Sequence, residues 1–285
     1  LVLNAPNGGE LKYLYYGSKL SETDLQHINE ASNCNHTAYP VYGMNCPGEA
    51  ALSVKHADGN MSTQMEGVSV STNQEKLSTL TTIHLKDKAY QDVDMIETWT
   101  EISHTEKKPV YLSQFSSAYL PIRTGNVWLS HLSGSWANEG QLTQEPLQPG
   151  MTVIKNKDGV RNSHTSHAEV MFSLDGKPQE NTGRVIGAAL CYTGNYKLKI
   201  DTDDSDYHQF YAGINEENSS YMLPKKEVFR TPAVALTYSD KGLSGASRNF
   251  HKWGRTYKLA HGNVVRDILL NSWEGVYFDI NQKGM

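Results

Sequence analysis

The chain has 285 residues, with 26 Lys and Arg against 31 Asp and Glu, a formal net charge of −5. No Lys/Arg run exceeds two residues, which argues against nucleic acid and against a charged membrane surface as partners. No apolar stretch approaches the ~18 residues of a membrane span.

Glycine (23) and tyrosine (16) are plentiful and long helix-period segments are scarce, a composition that favours an all-β protein with many turns. The chain starts at Leu1-Val-Leu-Asn4, already strand-like, so the lack of a leader peptide carries no information. Cys34 and Cys46 either bridge a loop or stand as free thiols; Cys191, inside an apolar run, reads as a packed thiol. Strands are expected at Val68–Thr72, Leu80–Leu85, Val93–Trp99, Val110–Phe115 and Val127–Leu132. Many alternate apolar with polar residues, the pattern of a sheet with one wet face. Turn signals separate the segments at Ala57-Asp-Gly-Asn60, Arg123-Thr-Gly-Asn126, Asp158-Gly159 and Asp175-Gly-Lys-Pro178. Val185–Tyr192 is more hydrophobic and is expected at the buried centre. Strand signals at this spacing imply two large packed antiparallel sheets, and no 20- to 50-residue repeat suggests a solenoid or propeller.

Asp201-Thr-Asp-Asp-Ser-Asp206 lacks the Gly and distal Glu of a calcium loop and reads as a solvated turn. His164 and His167 sit in a polar loop without a third ligand, so no metal is expected. From Leu243 to Tyr257, apolar residues at Leu243, Ala246, Phe250, Trp253 and Tyr257 make one helical face, read as a linker helix packed on the sandwich. Arg266–Ile280 then reads as a buried strand. Ile268, Leu269 and Leu270 form its apolar run, and Asn271, Ser272, Trp273 and Glu274 stand at its C-terminal end, where barrel enzymes keep their sites. A closed barrel takes about 250 residues, so the expectation is a front domain with only the first barrel strand.

Leu270-Asn-Ser-Trp-Glu-Gly-Val-Tyr-Phe-Asp279 resembles the signature that opens the catalytic barrel of glycoside hydrolase family 36, the microbial α-galactosidases. Tyr39–Gly43, His131–Trp136, Tyr192–Tyr196, Ala212–Asn215, Phe229–Asp240 and Gly242–His251 also resemble segments of that family's N-terminal domain, in the same order. The resemblance implies a β-supersandwich of the galactose-mutarotase type over residues 1–242, a linker helix and turn over 243–263, and the start of a (β/α)8 barrel over 264–285. It implies hydrolysis of terminal α-linked galactose from oligosaccharides with retention, no cofactor, and a homo-oligomeric parent enzyme.

Retaining glycosidases use two carboxylates about 5–5.5 Å apart. The family's two catalytic aspartate motifs are absent here, so no catalytic residue is assigned and the chain alone is expected to be inactive. The resemblance places Trp273 in the galactose pocket, against the alternative of a tryptophan filling the barrel mouth. Aligned by position, Cys46, Pro47 and Gly48 stand where many members carry Asp, Phe and Arg that enter the active site. Cys46 is therefore the candidate substrate-side residue at the family's Asp position. The departure leaves open an α-N-acetylgalactosaminidase; a raffinose-synthase-like transferase and a non-catalytic sugar-binding or assembly domain are further alternatives.

Overall fold

The computed structural model describes residues 1–5, 10–28, 37–44, 46, 48–63, 81–90, 92–159 and 164–284. The expected strand at 68–72 and Cys34 lie outside the described residues.

Two antiparallel sheets make the body. The larger contains β4 (Thr81–Ala89), β5 (Met95–His104), β8 (Trp128–Ser135), β9 (Asn138–Pro146), β11 (Ser166–Ser173), β12 (Val185–Leu190), β16 (Val228–Arg230) and β17 (Val234–Ser239), in the order β16-β5-β17-β12-β11-β8-β9, with β4 on the other side of β5. The second has the order β10-β13-β14-β7, from β7 (Ala118–Arg123), β10 (Gly150–Lys155), β13 (Tyr196–Thr202) and β14 (Tyr207–Ile214). A hairpin of β1 (Val2–Asn4) and β2 (Lys12–Tyr15), and a sheet of β15 (Tyr221–Leu223), β6 (Val110–Phe115) and β3 (Leu52–Lys55), complete the β structure. A short helix, α1 (Glu22–His27), is held by a Ser21/Asp24 capping box.

The main core lies between the two large sheets. Leu129, Val170, Phe172, Ile186 and Leu236 of one meet Leu120, Leu198, Ile200 and Phe210 of the other. Phe172 and Phe210 close the layer edge to face, with centroids 5.2 Å apart. β12, β13 and β14 are the most buried run, and β12 agrees with the hydrophobic segment expected at the centre. A second core joins the three-stranded sheet to β5, β7 and β14 through Leu52, Leu112, Ile102, Tyr119 and Tyr211. The acidic stretch becomes the β13–β14 turn, where Asp203 Oδ1 accepts from the Ser205 and Tyr207 amides at 2.8 and 3.0 Å.

Because β14 serves both cores, residues 37–238 are expected to unfold in one thermal transition, with near-UV and far-UV signals coincident. Two separate transitions mapping to different halves would refute this.

Two expectations are corrected. Cys191 follows the end of β12 and is exposed rather than packed; the apolar run stops one residue earlier. Residues 265–272 form no strand, and Ile268, Leu269 and Leu270 are largely or fully exposed. A strand buried on both faces needs ladder partners and covering helices, and no described residue supplies them.

Candidate functional site

Three features hold the candidate residues and the helix that follows the sandwich. The first is a helix clamp. α2 (Gly242–Trp253) lies on the outer face of the large sheet with the expected stripe inward. Phe250 and Trp253 pack with Tyr90 against Val93, Met95 and Ala235. Gly187 of β12 makes room: a Cβ there would lie 2.7 Å from the Phe250 ring and 2.9 Å from Thr237.

The helix was expected to run evenly to Tyr257. It changes instead into a π turn over Gly254–Lys258, closed by the Leu259 amide on the Gly254 carbonyl at 2.9 Å. The wider turn places Lys258 on the side that Trp253 and Tyr257 already share. Tyr257 donates to the Asp92 carboxylate and lies 4.5 Å from the Tyr90 ring. Lys258 sits over the Trp253 ring at 5.0 Å and pairs with Glu97, which also accepts from the Tyr90 hydroxyl.

Glu97 is only 4% exposed. Burial by itself would raise its pKa; the Lys258 ammonium and the Tyr90 hydroxyl outweigh burial and hold the carboxyl below the usual range. Lys258 shows the matching sign: burial lowers its pKa, and Glu97 outweighs that and raises it. Neither residue stands out in the linear sequence. The signal that would have found Glu97 is its place in the alternation Val93, Met95, Glu97, where a carboxylate occupies a core-facing position.

The second feature is the Trp273 segment. Trp273 opens a one-turn helix, α3 (Trp273–Val276), rather than closing a strand. Its amide donates to Asn271 Oδ1 at 3.0 Å, and its ring meets Tyr277 and Phe278 edge-on at 5.5 and 4.9 Å. The residue remains 47% exposed.

The third feature is the segment carrying Cys46. Cys46 is half-buried and not in a disulfide. Behind it, the odd-numbered residues of β14 present Tyr207, Gln209 and Tyr211 away from the main core, beside Tyr119 of β7. Burial above all pushes the Tyr119, Tyr207 and Tyr211 phenols above their ordinary range; the Cys46 thiol adds to the rise in each, and Arg123 opposes it at Tyr207. The two candidate residues therefore belong to different elements, Cys46 against the four-stranded sheet and Trp273 beyond the π turn.

The remaining candidates are not gathered into a site. His131 of β8 lies 3.9 Å from Glu145. His164 pairs with Glu139, and His167 with Glu169 on its own strand. Trp136 stands 82% exposed at the β8–β9 turn.

This arrangement is a β-sandwich with a helix packed on the outer face of its larger sheet, and solved structures share the fold. An α-galactosidase of Geobacillus stearothermophilus superimposes with a TM-score of 0.85 at 22% identity, covering 99% of this chain and 45% of that one. The galactosidase domain of an α-galactosidase–sucrose kinase gives 0.84 at 23%, covering 99% of this chain and 45% of that one. The sequence profile of the glycosyl hydrolase family 36 N-terminal domain matches residues 9–224, and the melibiase profile matches 228–285. The chain belongs to glycosyl hydrolase family 36. Among curated relatives, alpha-galactosidase AgaA of Geobacillus stearothermophilus is 33% identical over 159 residues, 55% of this chain and 21% of the relative. Alpha-galactosidase Mel36A of Lactobacillus acidophilus is 30% identical over 195 residues, 68% and 26% respectively. The chain thus matches about a quarter of the length of these relatives.

Proposed function

We propose that this chain is the front domain, linker helix and barrel entry of an α-galactosidase that removes terminal α-linked galactose from oligosaccharides with retention. The observation that carries the reading is the N-terminal family match, which runs into a melibiase match within four residues, at the start of β16. The clamp supports a boundary after β17: the last described strand of the sheet ends at Ser239, and α2 follows from Gly242 on the sheet's outer face. On this reading residues 1–242 are the sandwich, 243–263 the linker and 264–285 the barrel entry. The whole enzyme is a homo-oligomer acting on α-galactoside oligosaccharides.

In this proposal the catalytic carboxylate pair lies outside the chain, and the chain supplies walls. Trp273 offers an aromatic face to the C–H side of the sugar. Cys46 borders the pocket where a carboxylate would be expected, which removes one charged acceptor for a sugar hydroxyl.

The test compares the 285-residue chain with the enzyme extended through its two aspartates, using aryl α-galactoside and aryl α-N-acetylgalactosaminide. No turnover is expected from the chain alone, and preference for the galactoside from the extended enzyme. Turnover by the chain near the extended enzyme's rate would defeat the proposal. Trp273→Ala in the extended enzyme should lower kcat/KM about 10- to 100-fold, as loss of one aromatic contact of ~1.4–2.8 kcal/mol. The same change in this chain should leave its melting temperature nearly unchanged. Unaltered kinetics in a folded extended enzyme would make Trp273 a structural residue.

A further inference from the structure

We infer that Gln209 is a positioning residue that, through Tyr211 and Tyr119, holds Cys46, Gly48 and Glu49 in place at the edge of the substrate site. The inference rests on the reading of Cys46 given above, and adds the machinery that keeps it there.

Gln209 lies in the middle of β14, 5% exposed, on the face turned away from the main core. Its Oε1 accepts from the Tyr211 hydroxyl at 3.1 Å and from the Tyr119 hydroxyl at 3.3 Å. Tyr119 also bonds Tyr207 at 2.8 Å. Tyr211 divides its single O–H between Gln209 and the Glu49 carbonyl, the latter at 2.6 Å. The Gln209 amide group is seated directly on Gly48, in the place a Cβ would need. Gly48 is thus required twice, for that close approach and for its φ of +95°.

Glu49 is held again from two other strands. Lys199 of β13, 8% exposed, donates to Glu49 Oε2 at 3.0 Å and lies over the Tyr211 ring at 5.1 Å. Gln114 of β6 donates to the same oxygen at 3.2 Å. Two sheets therefore converge on one short segment. Gly48 and Glu49 are thereby held from both sheets, and a held edge is what orienting a sugar requires.

A fixed segment makes Cys46 its own reporter. Alkylation of this chain under reducing conditions, followed by peptide mapping, should show Cys46 reacting at least tenfold more slowly than exposed Cys191. Gln209→Ala should speed Cys46 at least tenfold and leave Cys191 unchanged. Tyr211→Phe, which keeps the ring beneath Lys199 and removes only the hydroxyl, should give a smaller rise in the same direction. It also carries the test if Gln209→Ala fails to fold. In the extended enzyme the same substitutions should raise KM for an aryl α-galactoside several-fold with little change in kcat, a split that general destabilisation does not produce. An unchanged Cys46 rate in folded Gln209→Ala or Tyr211→Phe protein would overturn the inference. Faster labelling with unchanged KM would instead remove the segment from the substrate site, and the positioning role would fall with it.

Discussion

Phe172→Ala is expected to destabilise the folded chain by about 3–5 kcal/mol. Phe172 is fully buried between the two large sheets and closes edge-on against Phe210. Its neighbours on β12 and β8, Ile186 and Leu129, are fixed by sheet registers on both sides and are poorly placed to collapse into the space. Thermal denaturation should show the midpoint lowered by roughly 6–20 °C, as a domain of this size loses about 2–4 °C per kcal/mol. Trp136→Ala removes a larger side chain from the exposed β8–β9 turn and should cost less than ~0.5 kcal/mol. A Phe172→Ala loss as small as that of Trp136→Ala would mean that the sheets do not share the core described.

Lys258→Met should loosen the helix clamp rather than the sandwich. It leaves the buried Glu97 with the Tyr90 hydroxyl as hydrogen-bond partner and the charge of Lys88, its cross-strand neighbour on β4. Breaking a fully buried ion pair costs about 3–5 kcal/mol. Lys258 is 38% exposed, so solvent screening reduces the expected cost to about 1–3 kcal/mol. The loss should be local. Amides of the end of α2 and the π turn are expected to exchange about 10- to 100-fold faster, with those of β12 to β14 unchanged.

The clamp should also respond to pH. Glu97 is lowered from 4.5 in the folded state, so its contribution is complete above pH ~4.5 and disappears as pH falls through the lower folded value. Lys258 is raised from 10.5, so its contribution is complete below pH ~10.5 and is lost only as pH rises through the higher folded value. Exchange protection of the π turn should therefore hold across neutral pH and fail first on acidification. Glu97→Gln should abolish that acid-side step. An acid step that persists in Glu97→Gln would assign the titration to another carboxylate.

Local order in the sequence determined much of this protein. Alternation marked the strands, with the expected segment at 110–115 matching β6 in full, and the spacing of Leu243, Ala246, Phe250 and Trp253 set the inward face of α2. Both patterns are visible over a few residues because the side-chain period of a strand or helix is local. The ordered motifs that resemble family 36 are borne out by the family matches over residues 9–224 and 228–285. Only the tertiary structure decided what depends on distant partners. Glu97 becomes a buried clamp residue because Lys258, 161 positions later, is brought over it by a π turn. The Cys46 segment is held by residues of β6, β13 and β14, and no spacing in the chain brings those side chains together. Ile268, Leu269 and Leu270 show the same dependence in reverse. Their apolar run reads as a buried strand, but burial and hydrogen-bonded pairing are supplied by neighbours, and no described residue pairs with this segment or covers it.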